Sequence, residues 1–190
     1  MTAINENSYS VLKNKPSAIL VISSAVSTVF DTAISLGKIY LCTEGSENPC
    51  EKCKNCMLIG KNEHPDFIHF DTSSIASDAI KVSDIKLLSS FFQLTSNQGG
   101  TRIFSLGFLE NVSLTIKNAL LKTIEEPPKN LKVFLYTKSI SSVPLTIKSR
   151  CQIIDLRKDI ETEFRASMKK FSELDKKLVP LLFKGENIKV

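Results

Sequence analysis

The stretch AILVISSAVSTVFDTAISLGKIYL, Ala18 to Leu41, carries two different periodicities back to back. Ala18 to Ser23 is a short apolar run rich in β-branched residues, which reads as a buried strand. Beyond it, Val29, Ala33, Leu36 and Tyr40 recur at the spacing of one helical face, which predicts a helix over about Val26 to Leu41. The alternation then repeats. Strands are expected at Phe67 to Phe70, Thr101 to Leu106 and Lys132 to Thr137, with a last one in CQIIDL from Cys151. KVSDIKLLSSFFQLTSN places Ile85, Leu88 and Phe92 on one helical face, with Ser83 as N-cap. SLTIKNALLKTIEEPP predicts a helix whose apolar face is Leu114, Leu120, Leu121 and Ile124. It must stop near Glu126, because proline disfavours a helical residue before it. Pro144 starts a short helix in VPLTIKSR. Strands alternating with helices imply an α/β fold, a mainly parallel sheet covered by helices on both faces. The alternation ends near Leu156. A boundary is expected near Arg157, with a more charged, helical unit over 158–190.

The composition fits one globular core: 190 residues, 42% hydrophobic and 24% charged, with a formal net charge of +5 spread along the chain. That excess permits contact with nucleic acid or an acidic partner without arguing for either. No window approaches the run of about 18 apolar residues that a membrane helix needs. The polar MTAINENSYSVLKNKPS lacks the apolar centre of a secretory signal, so a cytoplasmic protein is expected.

The first helix leads into a cysteine cluster. Cys42, Cys50, Cys53 and Cys56 are spaced C-x7-C-x2-C-x2-C. Clustered thiols in a reducing compartment are metal ligands or redox groups more often than disulfides. Zinc takes four tetrahedral ligands and favours thiolate, so a structural zinc site is the simplest assignment. A redox pair needs only one C-x2-C, and an iron–sulfur cluster remains the other metal alternative. Four thiolates leave no open position for a reactive water. His64 and His69 are expected to be turn or packing residues, and Cys151 a small buried hydrophobe.

A nucleotide-hydrolysing fold of this class carries G-x4-G-K-S/T between the first strand and helix, where backbone amides and the lysine hold phosphates. Here the junction reads SSAVSTVFD, without glycine or lysine. Gly37-Lys38 and Gly60-Lys61 each lack the upstream glycine and the following hydroxyl residue. The third strand offers Gly107 and Phe108 where an acidic pair for magnesium is expected, and Glu110 beyond them reads as a solvated loop acid.

NALLKTIEEPP (Asn118 to Pro128), SRC (Ser149 to Cys151), the cysteine insert and HPDF, taken in order, resemble the clamp-loader ATPases of bacterial DNA polymerase III, an AAA+ family. The likeness runs over about Ser17 to Leu156, and the missing phosphate loop is similar to that of its non-hydrolysing delta-prime branch. The resemblance implies an AAA+ RecA-like sheet over 1–157 with the zinc module at 42–56, then a small helical lid. Family members continue into a collar domain; this sequence ends at Val190, so either a fragment or a divergent short form that assembles differently is expected. It implies structural Zn2+ on the four cysteines and no ATP held by this chain. Arg150 would act as an arginine finger in trans on ATP held by a neighbouring gamma/tau subunit. The implied partners are gamma/tau and delta subunits and, through the complex, the sliding clamp and primer-template DNA. Thr137 matches the family's sensor position, with strand-end hydrogen bonding as its simpler role. Two other functions stand beside this one. One is a divergent active ATPase. The other is a zinc-stabilised nucleic-acid module using Lys52, Lys54 and Lys61, which lacks interleaved aromatic residues.

Overall fold

The computed structural model of the chain describes residues 11–45, 48–72 and 100–157. All elements below belong to one unit, Met1–Leu156. The helix expected around Ser83 and the lid expected over 158–190 lie outside the described residues.

Five parallel strands form one sheet: β1 (Ala18–Ile22), β2 (Phe67–Phe70), β3 (Arg102–Phe108), β4 (Leu131–Thr137) and β5 (Gln152–Asp155). Their order is β2-β3-β4-β1-β5. The helices are α1 (Val26–Leu41), α2 (Lys54–Gly60), α3 (Leu114–Glu125) and α4 (Leu145–Lys148).

Strand order and crossover handedness fix which face each helix covers. The chain moves one way along the sheet from β1 to β2, and the opposite way from β3 to β4 and from β4 to β5. Right-handed crossovers then put α1 on one face and α3 and α4 on the other. The core divides accordingly. Ile19 and Val21 pack with Val29, Ala33, Leu36 and Tyr40 of α1. Ala18 and Leu20 pack with Ile116, Leu120 and Ile124 of α3 and Ile147 of α4. A strand apolar on both sides is what this double cover requires, and all five β1 residues are buried.

On α1 the four residues chosen by their spacing are all buried, and Thr32 and Gly37 beside them are buried as well. On α3 the expected face is corrected. Ile116, Leu120 and Ile124 face the sheet, Leu121 is partly buried, and Leu114 is 69% exposed. Counted at about 100° per residue, Leu114 lies well over 90° from the mean direction of the buried stripe. The helix does end at Glu125. Its C-cap, Glu126 (φ −125°, ψ 69°), has left the helical region ahead of Pro127.

Candidate metal centre and surface arginine

The cysteine cluster is built from the end of α1, a turn and the start of α2. Cys42 is the C-cap of α1 and its N–H donates to Lys38 O at 2.9 Å. Asn55 Nδ2 of α2 donates to Leu41 O at 2.8 Å, tying the two helices end to end. Glu51 takes a positive φ of 61° between Cys50 and Cys53, and its carboxylate pairs with Lys38. Cys53 then serves as N-cap of α2, and Cys56 lies buried in its first turn.

The four sulfurs lie within 4.8 Å of one another, with Cys42 and Cys53 4.0 Å apart. Thiolates at about 2.3 Å from a tetrahedral zinc stand about 3.8 Å apart, so the donor set fits such an ion. Backbone N–H groups already point at three of the sulfurs. Gly45 and Cys50 donate to Cys42 Sγ at 3.2 and 3.3 Å, Cys53 to Cys50 Sγ at 3.2 Å, and Cys56 to Cys53 Sγ at 3.4 Å. Such donors favour thiolate over thiol. The Cys56 N–H is the main reason the Cys53 thiol is lowered to about 6. At Cys42 burial opposes ionisation, but three backbone N–H groups outweigh it and the thiol is lowered. Burial raises Cys56.

Neither histidine joins the cluster. His64 Nδ1 accepts the Asp66 N–H at 3.1 Å, closing the turn before β2. His69 Nδ1 shares a 2.9 Å hydrogen bond with Ser105 Oγ, and its ring packs edge-on against Phe30 and Tyr136. Both are the turn and packing residues expected.

The C-terminal edge of the sheet is where an α/β fold binds nucleotide, beside neighbouring strands whose helices depart to opposite faces. Here β1 passes to α1 through Ser23, Ser24 and Ala25, and no side chain caps the helix. The Ser23 N–H closes onto Thr137 O of β4 at 3.0 Å. At the end of β3, Gly107 coincides with a register shift against β4. A Cβ there would lie 2.7 Å from Thr72 Oγ1, 2.8 Å from Thr72 N and 3.2 Å from Phe70 O. Thr72 is fully buried, its hydroxyl donates to Phe108 O at 3.2 Å, and Asn111 Nδ2 donates to its carbonyl at 2.8 Å. The strand-end position where an ATPase of this fold carries an acid is thus filled by the Thr72 hydroxyl and by backbone of Thr72 and Phe70. Gly107→Ala is expected to cost roughly 1–3 kcal/mol by overpacking, read as a lower midpoint in chemical denaturation. An unchanged midpoint would show that Thr72 can move aside.

Glu110 is not the solvated loop acid expected from sequence. Its Oε1 accepts the Thr137 hydroxyl at 2.6 Å, the Ser142 hydroxyl at 2.7 Å, and the N–H groups of Lys138 and Ser139 at 3.0 and 3.3 Å. It fastens the segment after β4 to the end of β3, and Thr137 plays the strand-end role. Burial alone would raise the carboxyl, but the Thr137 and Ser142 hydroxyls and backbone N–H groups hold it below its ordinary value. A depressed pKa contributes stability that is fully present above the unfolded value of about 4.3 and is lost as pH falls through the folded one. Glu110→Gln should therefore destabilise by roughly 1 kcal/mol at neutral pH, after allowance for partial exposure, and the difference should shrink only as pH falls below about 4.3 and through the depressed folded value. Melting curves of both proteins across that range check it. No linear signal marks Glu110, because its hydroxyl partners lie far along the chain.

Arg150 follows the C-cap of α4, with its N–H bonded to the carbonyl of fully buried Ile147 at 3.1 Å. Its guanidinium stands at the surface. Nη2 lies 3.1 Å from Glu125 Oε1, and Nη1 donates to Thr146 O at 3.1 Å and Ser149 Oγ at 3.2 Å. The side chains of Arg150 and Glu125 are 40% and 44% exposed, so the pair is open to a further ligand. Cys151 beside it is partly buried against the α3–α4 face, and burial pushes its thiol up to about 12.

A sequence profile described as DNA polymerase III, delta subunit, matches residues 3–160. The chain belongs to that family. Among its relatives is the DNA polymerase III subunit delta' of Bacillus subtilis, 32% identical over 124 residues, which are 65% of this chain and 37% of that protein. The delta' subunit of Haemophilus influenzae is 30% identical over 122 residues, 64% of this chain and 37% of its own. A DNA polymerase III subunit gamma from Buchnera aphidicola is 34% identical over 123 residues, 64% of this chain and 32% of its own. The delta-family chain thus spans roughly a third of the length of the relatives it matches. A crystal structure of a gamma subunit-related protein from Thermotoga maritima matches with a TM-score of 0.54 at 19% identity, over 77% of this chain and 45% of that one. That likeness concerns the fold, the five-stranded parallel sheet.

Proposed function

We propose that this chain is a non-hydrolysing, delta-prime-like subunit of the DNA polymerase III clamp loader. In this reading it contributes Arg150 in trans to ATP held by a neighbouring gamma/tau subunit. The packing of Gly107 against Thr72 is the observation that carries it. With the acid position filled and no phosphate loop after β1, this chain is a poor host for magnesium and triphosphate, while its own arginine stands exposed. A guanidinium is permanently charged and can neutralise charge developing on a transferring phosphoryl group. Donated across an interface, it makes hydrolysis depend on assembly. The chain would act with gamma/tau and delta subunits in the cytoplasm, reaching the sliding clamp and primer-template DNA through the complex. A helical lid would follow from about residue 158.

The four cysteines would hold Zn2+ as a cross-link between α1 and α2, remote in role from the phosphoryl chemistry. Likeness to gamma and tau subunits leaves an active ATPase as the rival. It is tested by equilibrium binding of ATP to the isolated chain. No saturable binding is expected in the micromolar range, and micromolar affinity would overturn the non-hydrolysing assignment.

A further inference from the structure

Glu125 is the last residue of α3 and sits where the helix dipole disfavours a carboxylate. Its placement is firm, because Glu126 leaves the helix immediately before Pro127 and Pro128. The N–H of Leu131 closes that stop on Pro128 O at 2.9 Å. The one cation it meets in an ion pair among the described residues is Arg150. That guanidinium is held from two helices at once, by Glu125 at the end of α3 and by Thr146 O and Ser149 Oγ of the α4 turn. Nη1 spends its two protons on Thr146 O and Ser149 Oγ, while Nη2 meets Glu125 as an ion pair. Among the described residues no hydrogen bond engages Nε, and Nη2 keeps a second proton, so both can meet an incoming anion.

We infer that Glu125 is a positioning residue for Arg150: it holds the guanidinium extended across the surface, so that the remaining donors face a phosphate presented by a neighbouring subunit. This rests on the proposed role of Arg150. The physics suits positioning more than stability. An exposed pair contributes little to folding, yet a long side chain with free rotamers loses much of its effective concentration at a reacting phosphoryl group. The pair is also open enough for Arg150 to keep Glu125 while gaining a second anion, as forked guanidinium groups do.

The test is ATP turnover by a loader reconstituted from this chain and a gamma subunit, with Glu125→Gln, Glu125→Ala, Arg150→Ala and the Glu125→Ala/Arg150→Ala double variant. Glu125→Ala is expected to lower kcat about tenfold, with KM for ATP within about twofold. Glu125→Gln, which keeps a neutral acceptor, should fall between it and wild type. In the Arg150→Ala background Glu125→Ala should have no further effect, since a positioning residue has nothing left to position. Equal melting temperatures of wild type and both Glu125 variants verify the fold. Turnover unchanged or raised by Glu125→Ala, or lowered equally in the Arg150→Ala background, would overturn the inference while leaving a functional Arg150 intact. If Arg150→Ala itself is silent, the proposed function fails and this inference with it.

Discussion

Cys53→Ser is expected to weaken zinc binding by about a hundredfold or more, on the footing that four thiolates share an apparent binding free energy of roughly 10–16 kcal/mol. Cys53 has two roles, as sulfur donor and as N-cap of α2, and its neighbour Cys56 depends on the same turn. Without the metal, α2 keeps only a few anchors, chiefly buried Ile59 against α1 and β2 and the Asn55 bond to Leu41. The loss should therefore be local. Hydrogen exchange should rise over residues 42–60 while β1 and β4, buried on both faces, stay protected. Chain purified without chelator should carry one zinc per molecule, and affinity should fall with pH because the thiols must shed protons to bind. Absence of stoichiometric zinc, or an affinity unaffected by Cys53→Ser, would remove the metal from the picture.

Arg150→Ala carries the other large effect. An arginine supplied in trans to phosphoryl transfer is worth about a thousandfold or more, so on the proposed role turnover by an assembled gamma subunit should fall by that order. The fold should survive, since an exposed ion pair contributes at most about 1 kcal/mol. Arg150→Lys separates charge from geometry. A lysine keeps the charge but loses the planar fork, and it also loses the simultaneous hold on Glu125, Thr146 and Ser149. Recovery to wild-type turnover by lysine would argue that charge alone matters; little recovery is expected.

The parts of the fold legible in the sequence were those with local causes. The β1–α1 unit could be read because a run apolar on both sides and a clean helical stripe adjoin. The stop of α3 could be read because two prolines follow Glu126. The cysteine cluster was legible from spacing, since a C-x2-C turn brings sulfurs together wherever it occurs. On α3 the expected face holds for Leu120 and Ile124 and fails at Leu114, because the buried stripe runs Ile116, Leu120 and Ile124 at intervals of four. Glu110 was misjudged for a deeper reason. A carboxylate on a short turn looks solvated until the sheet brings the β4 end, with Thr137 and Ser142, alongside it. Thr72 against Gly107 and Glu125 against Arg150 are likewise contacts between distant segments, invisible to any local pattern. Absence of a phosphate loop was plain in the sequence, but the crowding that excludes an acid at position 107 needed the packed strands.

The most direct measurement is single-turnover ATP hydrolysis by a gamma subunit assembled with the wild-type chain, with the Arg150→Ala chain, and alone. The expected result is strong acceleration by wild type and none by the variant, although both co-purify with gamma. Equal acceleration by wild type and Arg150→Ala would contradict a finger at this position.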